Sequence, residues 1–575
     1  MDNSSVAPVM IDNDEHQAKL SATHQKSSKG GWKSAIFIIF VEVGERFAYY
    51  GVSANLIMYL TNVLGQPIAT AAKNVNVWVG VSSVFPLFGG FVADSYLGRF
   101  KTILISSVIY LIGLILLTLS VSVVPLRHRR AVFFTALYIL AVGEGGHKPC
   151  VQTFAADQFD DDTPEEKKAK SSFFNWWYLG IVFGAASAVL VVIYVQEYVG
   201  WAVGFAMPTA AVAVALVVFL IGTFSYRREG PVGSPLTRVA QVFVAAAKKW
   251  RVSVARDVWN VCWDDARGGT HEEGGATVRT LARTNQFRFL DKAMIIDDID
   301  ASSKTRNYWR LCSVNQVEEV KLLIRLLPIW FSCMIFAIVI AQLSTFFTKQ
   351  GSTMVRSIGS HFHIPPATLH VSTGLVILIT VPIYDRILVP IARNITGLPS
   401  GITMLQRMGI GMFLSILTMV VAALVEAHRV SIAKAHGLIN SPKATVPMGV
   451  WWLLPQYMLS GVSDVFTIIG MQELFYDQMP EKMRSMGAAA YVSTIGGGSF
   501  LSSIVITIVQ AISSRYGSKW LGDNLNSAHL DYFYWVLAGL STINLVFYIW
   551  AAKGFVYKKV EGDNPLEDKE LSLQG

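Results

Sequence analysis

The chain places ionisable residues where apolar ones would be expected. In FVEVGERFAYYGVSANLIMYL, Glu42, Glu45 and Arg46 stand at i, i+3 and i+4 and so share one helix face. They begin about nine residues into an apolar run, roughly 13 Å along a helix and near the middle of a bilayer. An ionised group there costs about 2.5–3.5 kcal/mol and is tolerated only in a polar cavity with partners. Two carboxylates against one guanidinium leave one negative charge, and one carboxylate could bind a proton reversibly. A fixed ion cluster holding two helices together is the plainer alternative, but function is the default for charges at this depth.

Further such groups follow. In YILAVGEGGHKPCVQTF, Lys148 lies deep in an apolar block beside Glu144 and His147. A buried ammonium needs a carboxylate partner, which the 42–46 cluster could supply. His147 could handle protons, although a hydrogen-bonded structural histidine is the commoner case. Gly143, Gly145, Gly146 and Pro149 suggest a bend or close helix approach. In YMLSGVSDVFTIIGMQELFYDQMP, Asp464 sits near the centre as a candidate substrate or proton ligand. Glu473 follows about two and a half turns later and reads as a salt-bridge partner at the cytoplasmic end. Gln342, in IVIAQLSTFF, and Tyr50 are further candidate substrate ligands.

These groups must be carried by transmembrane helices. Of 575 residues, 52% are hydrophobic and only 15% charged, with mean hydropathy +0.43. Whole-chain disorder is excluded, and the long apolar blocks argue against a soluble multidomain protein or an outer-membrane barrel. Twelve spans of bilayer length are expected near 34–61, 75–97, 101–124, 131–153, 172–195, 201–225, 321–347, 368–392, 405–427, 448–476, 487–513 and 531–555. The chain divides into an N-terminal tail (1–32), a six-helix bundle (33–225), a linker (226–320), a second six-helix bundle (321–556) and a C-terminal tail (557–575). The linker stretch from Val239 to Val254 reads equally as a surface-lying amphipathic helix or as plain tether. No secretory signal precedes the first span.

The net charge of +8 follows the positive-inside rule rather than nucleic-acid binding. Arg99 and Lys101, Lys167, Lys168 and Lys170, Arg393 and Arg407, and Lys482 and Arg484 mark one side as cytoplasmic, with both termini. Arg127, Arg129 and Arg130 oppose the rule on the outer side. Six plus six spans suggest two bundles around a midplane site, as in major facilitator transporters. Asp94 and Arg99, in GFVADSYLGR, suit a conformational latch. Gly496, Gly497 and Gly498 permit close helix approach rather than phosphate binding. DDID (297–300) and DDAR (264–267) read as solvated runs rather than metal sites, and the sequons at Asn3 and Asn394 fall on the cytoplasmic side. Cys150, Cys262, Cys312 and Cys333 form neither a zinc pattern nor a disulfide framework. No cofactor is called for. The expected partners are protons, a small-molecule substrate and the lipid bilayer, with no nucleic acid.

The motifs EVGER (42–46), NLIMYL (55–60), GGFVADSYLGRFKT (89–102), FFNWWY (173–178), FRFLDKA (287–293), VEEVKLLIRLLPIW (317–330), GITMLQRMG (401–409) and YDQMPEKMRS (476–485) run through nearly all of the chain outside the tails. The chain resembles the proton-coupled oligopeptide transporter family, in its plant nitrate and peptide branch, and GEGGHKPCVQ most resembles that branch's fifth subfamily. The resemblance implies an all-α polytopic membrane protein of twelve helices with the major facilitator fold, working as a proton-driven symporter and not as an enzyme. It implies proton coupling by Glu42, Glu45 and Arg46 with Lys148 as their partner, and a substrate-lining role for Asp464. Thr102 matches a threonine phosphorylated in the dual-affinity nitrate transporter, which adds a regulatory kinase as a partner. That transporter's nitrate-binding histidine, just before AQL, is replaced here by Ile340. Nitrate, dipeptides and other plant metabolites all remain within the branch's range, as do the plasma and vacuolar membranes.

Overall fold

The computed structural model describes residues 30–558 except 160–163, 229, 231–232, 234, 252–280, 282, 298, 301–306, 360–361, 398–400, 480–483 and 517–519. The DDAR run, Asn3, most of the two tails and part of the linker therefore lie outside the described residues.

The chain is an all-α membrane protein. In the first half, α1 (Trp32–Ser53) is continued by Leu56–Asn62. Then come α2 (Ile68–Leu97), α3 (Arg99–Ser122), α4 (Leu126–Ala156), α5 (Pro164–Ser187, carried on to Tyr198) and α6 (Trp201–Phe224). The linker holds α7 (Pro235–Lys248). The second half contains α8 (Val314–Ser352), α9 (Pro366–Thr396), α10 (Met404–Ala435), α11 (Leu454–Gln478), α12 (Arg484–Arg515) and α13 (Leu530–Lys553).

Among the described residues, nine of these helices are long and apolar enough to cross a membrane. The other long helices are α1, α4 and α11, which carry Glu42, Glu45 and Arg46, then Glu144 and Lys148, then Asp464 and Glu473. The side chains face as lipid requires. On α3, Ile105, Ile112, Ile115 and Leu119 are exposed, while Ser106, Ser107 and Tyr110 are buried. The small and polar residues therefore make the helix contacts, as expected where lipid is as apolar as leucine.

Several expected boundaries move, two of them for a visible reason. The seventh span begins at Val314, because Ser313 and Gln316 close a capping box there with bonds of 3.3 and 3.2 Å. The ninth runs on to Ala435, which takes Glu426 and Arg429 into the interior as a fully buried ion pair of 2.7 Å. Gln350 and Asn526 complete its hydrogen bonding at 2.7 and 2.9 Å, as a buried pair needs.

The linker is more than a tether. Val242, Ala245 and Ala246 of α7 pack on Leu290, Met294 and the foot of α8 at Val317 and Val320. Asp297 and Asp300 of the DDID run pair with Arg310, and Asp300 also with Lys249. Burial works to raise the Asp297 carboxyl, but hydrogen bonds from Asp300 and Arg310 outweigh it and hold it below the ordinary value.

The halves are joined at the end that the charge rule assigns to the outside. Arg356 pairs with Glu197 at 2.8 Å, and the Tyr198 hydroxyl donates to the His363 carbonyl at 2.8 Å. Lys349 donates to Thr61 at 3.0 Å, and the Ile68 N–H to Asp523 at 3.0 Å. Lower down, Asn76 donates to Ser502 at 3.0 Å, while α2 and α12 approach through Gly80 and Gly496.

Candidate functional site

The site is built around α1. Its carboxylates Glu42 and Glu45 are both buried at 3% exposure. The Arg46 Nε lies 2.7 Å from Glu42 Oε1 and 3.3 Å from Glu45 Oε2. The Arg46 side chain keeps 19% exposure, so the cation reaches accessible space while the acids lie behind it. Close packing fixes this arrangement. A Cβ on Gly44 would stand 2.9 Å from Ala215 of α6, and one on Gly184 of α5 3.0 Å from the Arg46 Cβ.

Lys148 is held on α4. It forms an ion pair with Glu144, one turn earlier on the same helix, and stands 4.0 Å over the Tyr49 ring of α1. Its contact with α1 is thus a cation–π one, and its carboxylate partner is intrahelical. Tyr49 in turn stacks on Trp78 at 5.9 Å. The α4 glycines bring the backbone in close: a Cβ on Gly145 would meet Phe85 of α2 at 2.5 Å, and one on Gly143 would meet the Tyr110 nitrogen of α3 at 2.5 Å. His147 is buried, and its Nδ1 has no hydrogen-bond partner among the described residues.

The other candidates disperse. Tyr50 is half-buried, with its ring edge-on to Tyr49 at 5.3 Å. Asp464 is buried in α11, and its Oδ1 lacks a partner among the described residues. Gln342 is fully buried and donates to Ile338 at 2.7 Å and to Ser502 at 3.2 Å, the same hydroxyl that accepts from Asn76 of the first half. Thr102 is buried and donates to the Gly98 carbonyl at 3.0 Å, so a kinase would reach it only after this turn opens. Among the described residues no group of side chains has the make-up of a metal site.

Asp94 lies 3.7 Å from Arg99, which also pairs with Asp157 at the end of α4. The second half repeats the plan. Arg407 lies in the first turn of α10, pairs with Glu473 near the end of α11 at 3.4 Å, and stands 4.2 Å over Tyr384 in the second half of α9. Asp157 and Tyr384 were missed in the sequence, as was Tyr49. Only Tyr49, beside the 42–46 cluster, carried a local signal, namely an aromatic ring next to unpaired charge.

Comparisons with known proteins agree with this architecture. The sequence pattern of PTR2, the POT family, matches residues 100–521. The chain is 58% identical over 537 residues to Protein NRT1/PTR FAMILY 5.4 of Arabidopsis thaliana, covering 93% of this chain and 97% of that one. It is 51% identical to Protein NRT1/PTR FAMILY 5.10 of the same plant, covering 93% and 95%. In fold it is similar to the crystal structure of an auto-inhibited POT family peptide transporter (TM-score 0.67, 20% identity, 92% of this chain and 98% of that one). It is also similar to a peptide transporter POT in complex with sulfate (TM-score 0.61, 15% identity, 92% and 96%).

Proposed function

Because the chain belongs to the POT family of transporters, we propose that it is a proton-coupled symporter, crossing the membrane twelve times, that carries nitrate or another small, usually anionic solute by alternating access. The buried Glu42–Glu45–Arg46 cluster carries this reading. Neither Glu45 oxygen accepts a hydrogen bond among the described residues, so its charge is held chiefly by Arg46. A proton on Glu45 removes that claim on the guanidinium and leaves Arg46 with Glu42 alone. With that charge neutralised, Arg46 attracts an anion arriving in the accessible space beside it more strongly, and this couples proton and substrate. Lys148, neutralised by Glu144, adds a second cation that substrate can draw away. Asp94 and Arg99 act as the latch of the first half.

Ile340 favours a second reading. It is half-buried among apolar neighbours and gives nitrate no imidazole. A peptide or other amine-bearing metabolite would instead find a carboxylate at Asp464. A sensor with little transport is the remaining alternative, with Thr102 as its phosphorylated residue. Both termini are placed in the cytoplasm, and the plasma and vacuolar membranes both suit the chain. Membership of the POT family favours a transporter over an enzyme.

The test is voltage clamp on oocytes bearing the protein at the surface, with nitrate and a dipeptide applied in turn at mildly acidic external pH. An inward current with nitrate supports anion symport, and one with the dipeptide alone moves the substrate to Asp464. For Glu45→Gln, uptake should no longer rise on acidification although surface expression holds. Full acid stimulation in that variant would overturn the coupling role.

A further inference from the structure

Beside Glu45 the first bundle contains a small cavity. Glu45 of α1, Ser107 and Tyr110 of α3 and His147 of α4 line it, and α6 closes it with Val212 and Ala215. The polar residues around it are buried, with Glu45 at 3% exposure, His147 at 4% and Tyr110 at 2%. Both Glu45 oxygens, His147 Nδ1 and the Tyr110 hydroxyl lack hydrogen-bond partners among the described residues. Leaving a buried polar group unsatisfied is costly, so several around one space point to an occupant. The cavity has roughly the room of a single water, and an internal water typically makes about three hydrogen bonds. A carboxylate, an imidazole nitrogen and a phenol supply three.

We propose that this cavity holds a water bridging Glu45, Tyr110 and His147, and that His147 thereby shares the coupling proton. The inference rests on proton coupling at Glu45. With the imidazole proton on Nε2, Nδ1 offers a lone pair. The protonated Glu45 carboxyl gives its proton to the water as the water gives one of its own to His147 Nδ1. One carboxyl O–H bond breaks, one N–H bond forms and the water is regenerated. The charged and titratable groups around the pair are Glu42, Arg46 and Tyr49 on α1, Tyr110 on α3, Glu144 and Lys148 on α4, and Tyr491 on α12. The α6 wall is apolar, and α2 presents Phe85 to the α4 glycines. Moving the proton to His147 returns the Glu45 charge to Arg46 while the proton stays within the bundle, which favours release of the anion.

The test needs no substrate. Pre-steady-state charge movement is recorded under voltage clamp across a series of external pH values for the wild-type chain, His147→Gln and Tyr110→Phe. Removing the second proton acceptor should shift the half-maximal point of His147→Gln by about tenfold in proton concentration, toward acid, and Tyr110→Phe should shift it less in the same direction. A His147→Gln midpoint equal to wild type, with protein at the surface, overturns the shared proton while leaving coupling at Glu45 intact. If His147→Gln does not reach the surface, Tyr110→Phe decides: a shift supports the bridge, and an unchanged midpoint overturns it. A wild-type chain with no pH-dependent charge movement overturns proton coupling, and this inference with it.

Discussion

In Lys148 a structural ion pair and the proposed coupling role meet in one side chain. Its ammonium is satisfied by Glu144 and by the face of Tyr49, and Glu144 is fully buried with no exposure at all. Removing the cation alone strands that carboxylate, and breaking a buried pair from one side costs about 3–5 kcal/mol. Lys148→Gln should therefore lower thermal stability and surface yield. Adding Glu144→Gln should restore both without restoring uptake, since the missing cation still serves the transport cycle. Thermal unfolding in detergent and uptake on equal surface protein separate the two effects, and a double variant that transports at the wild-type rate would reduce Lys148 to a structural residue. The sequence already marked Lys148, Glu144 and His147 as deep in an apolar block. It did not reveal that the i, i+4 spacing would pair Lys148 within α4, because both the residues and the resemblance pointed to the 42–46 cluster as its carboxylate partner. Only the packing of α4 on α1 brings the Tyr49 ring beneath the ammonium and favours the local partner.

At the scale of elements, the two halves carry one device twice. An arginine opens α3 and another lies in the first turn of α10; each meets a carboxylate near the end of the following helix and a second group on the preceding one. Solvent weighs the copies differently. The Arg99 and Asp157 side chains are 22% and 16% exposed, whereas Glu473 is 52% exposed opposite Arg407. Screening therefore weakens the second copy more, while a charge-assisted bond in the first is worth about 1.5–3 kcal/mol. Arg99→Gln should slow maximal uptake and lower stability more than Arg407→Gln does, measured by initial rates and thermal unfolding side by side. Equal losses would show that both copies bear the same load. The Asp94–Arg99 half of this device was legible because its residues adjoin in one turn. Asp157, and Tyr384 as Arg407's aromatic partner, were not, since they come from distant parts of the chain and only the bundle assembles them. The same limit explains α10: the hydropathy drop at Glu426 and Arg429 resembled a span end, and only the mutual neutralisation of the pair keeps the helix running to Ala435.

Across the whole molecule, side chains of both halves bond over the junction at the end that the charge rule assigns to the outside, and α2 lies against α12. Alternating access requires this contact to form and break in every cycle. The polar bonds alone are a weak brake: Arg356 and Glu197 are each 24% exposed, and an ion pair so wetted contributes at most about 1 kcal/mol. Backbone proximity is the firmer determinant. A Cβ on Gly496 would stand 2.9 Å from the Gly80 carbonyl oxygen and 2.9 Å from a Val84 methyl, so any side chain there must push the halves apart. Gly496→Leu should therefore leave each bundle folded, hold the outer end open and cut uptake about tenfold or more, the scale of a shift of roughly 1.4 kcal/mol against the closed state. Asn76→Cys supplies the reporter, because Asn76 is 1% exposed at the α2–α12 contact. A membrane-impermeant thiol reagent should label that cysteine faster when Gly496→Leu is also present. Unchanged labelling together with normal uptake would mean that the α2–α12 contact is not what opens, and the moving boundary would then have to be sought elsewhere between the halves.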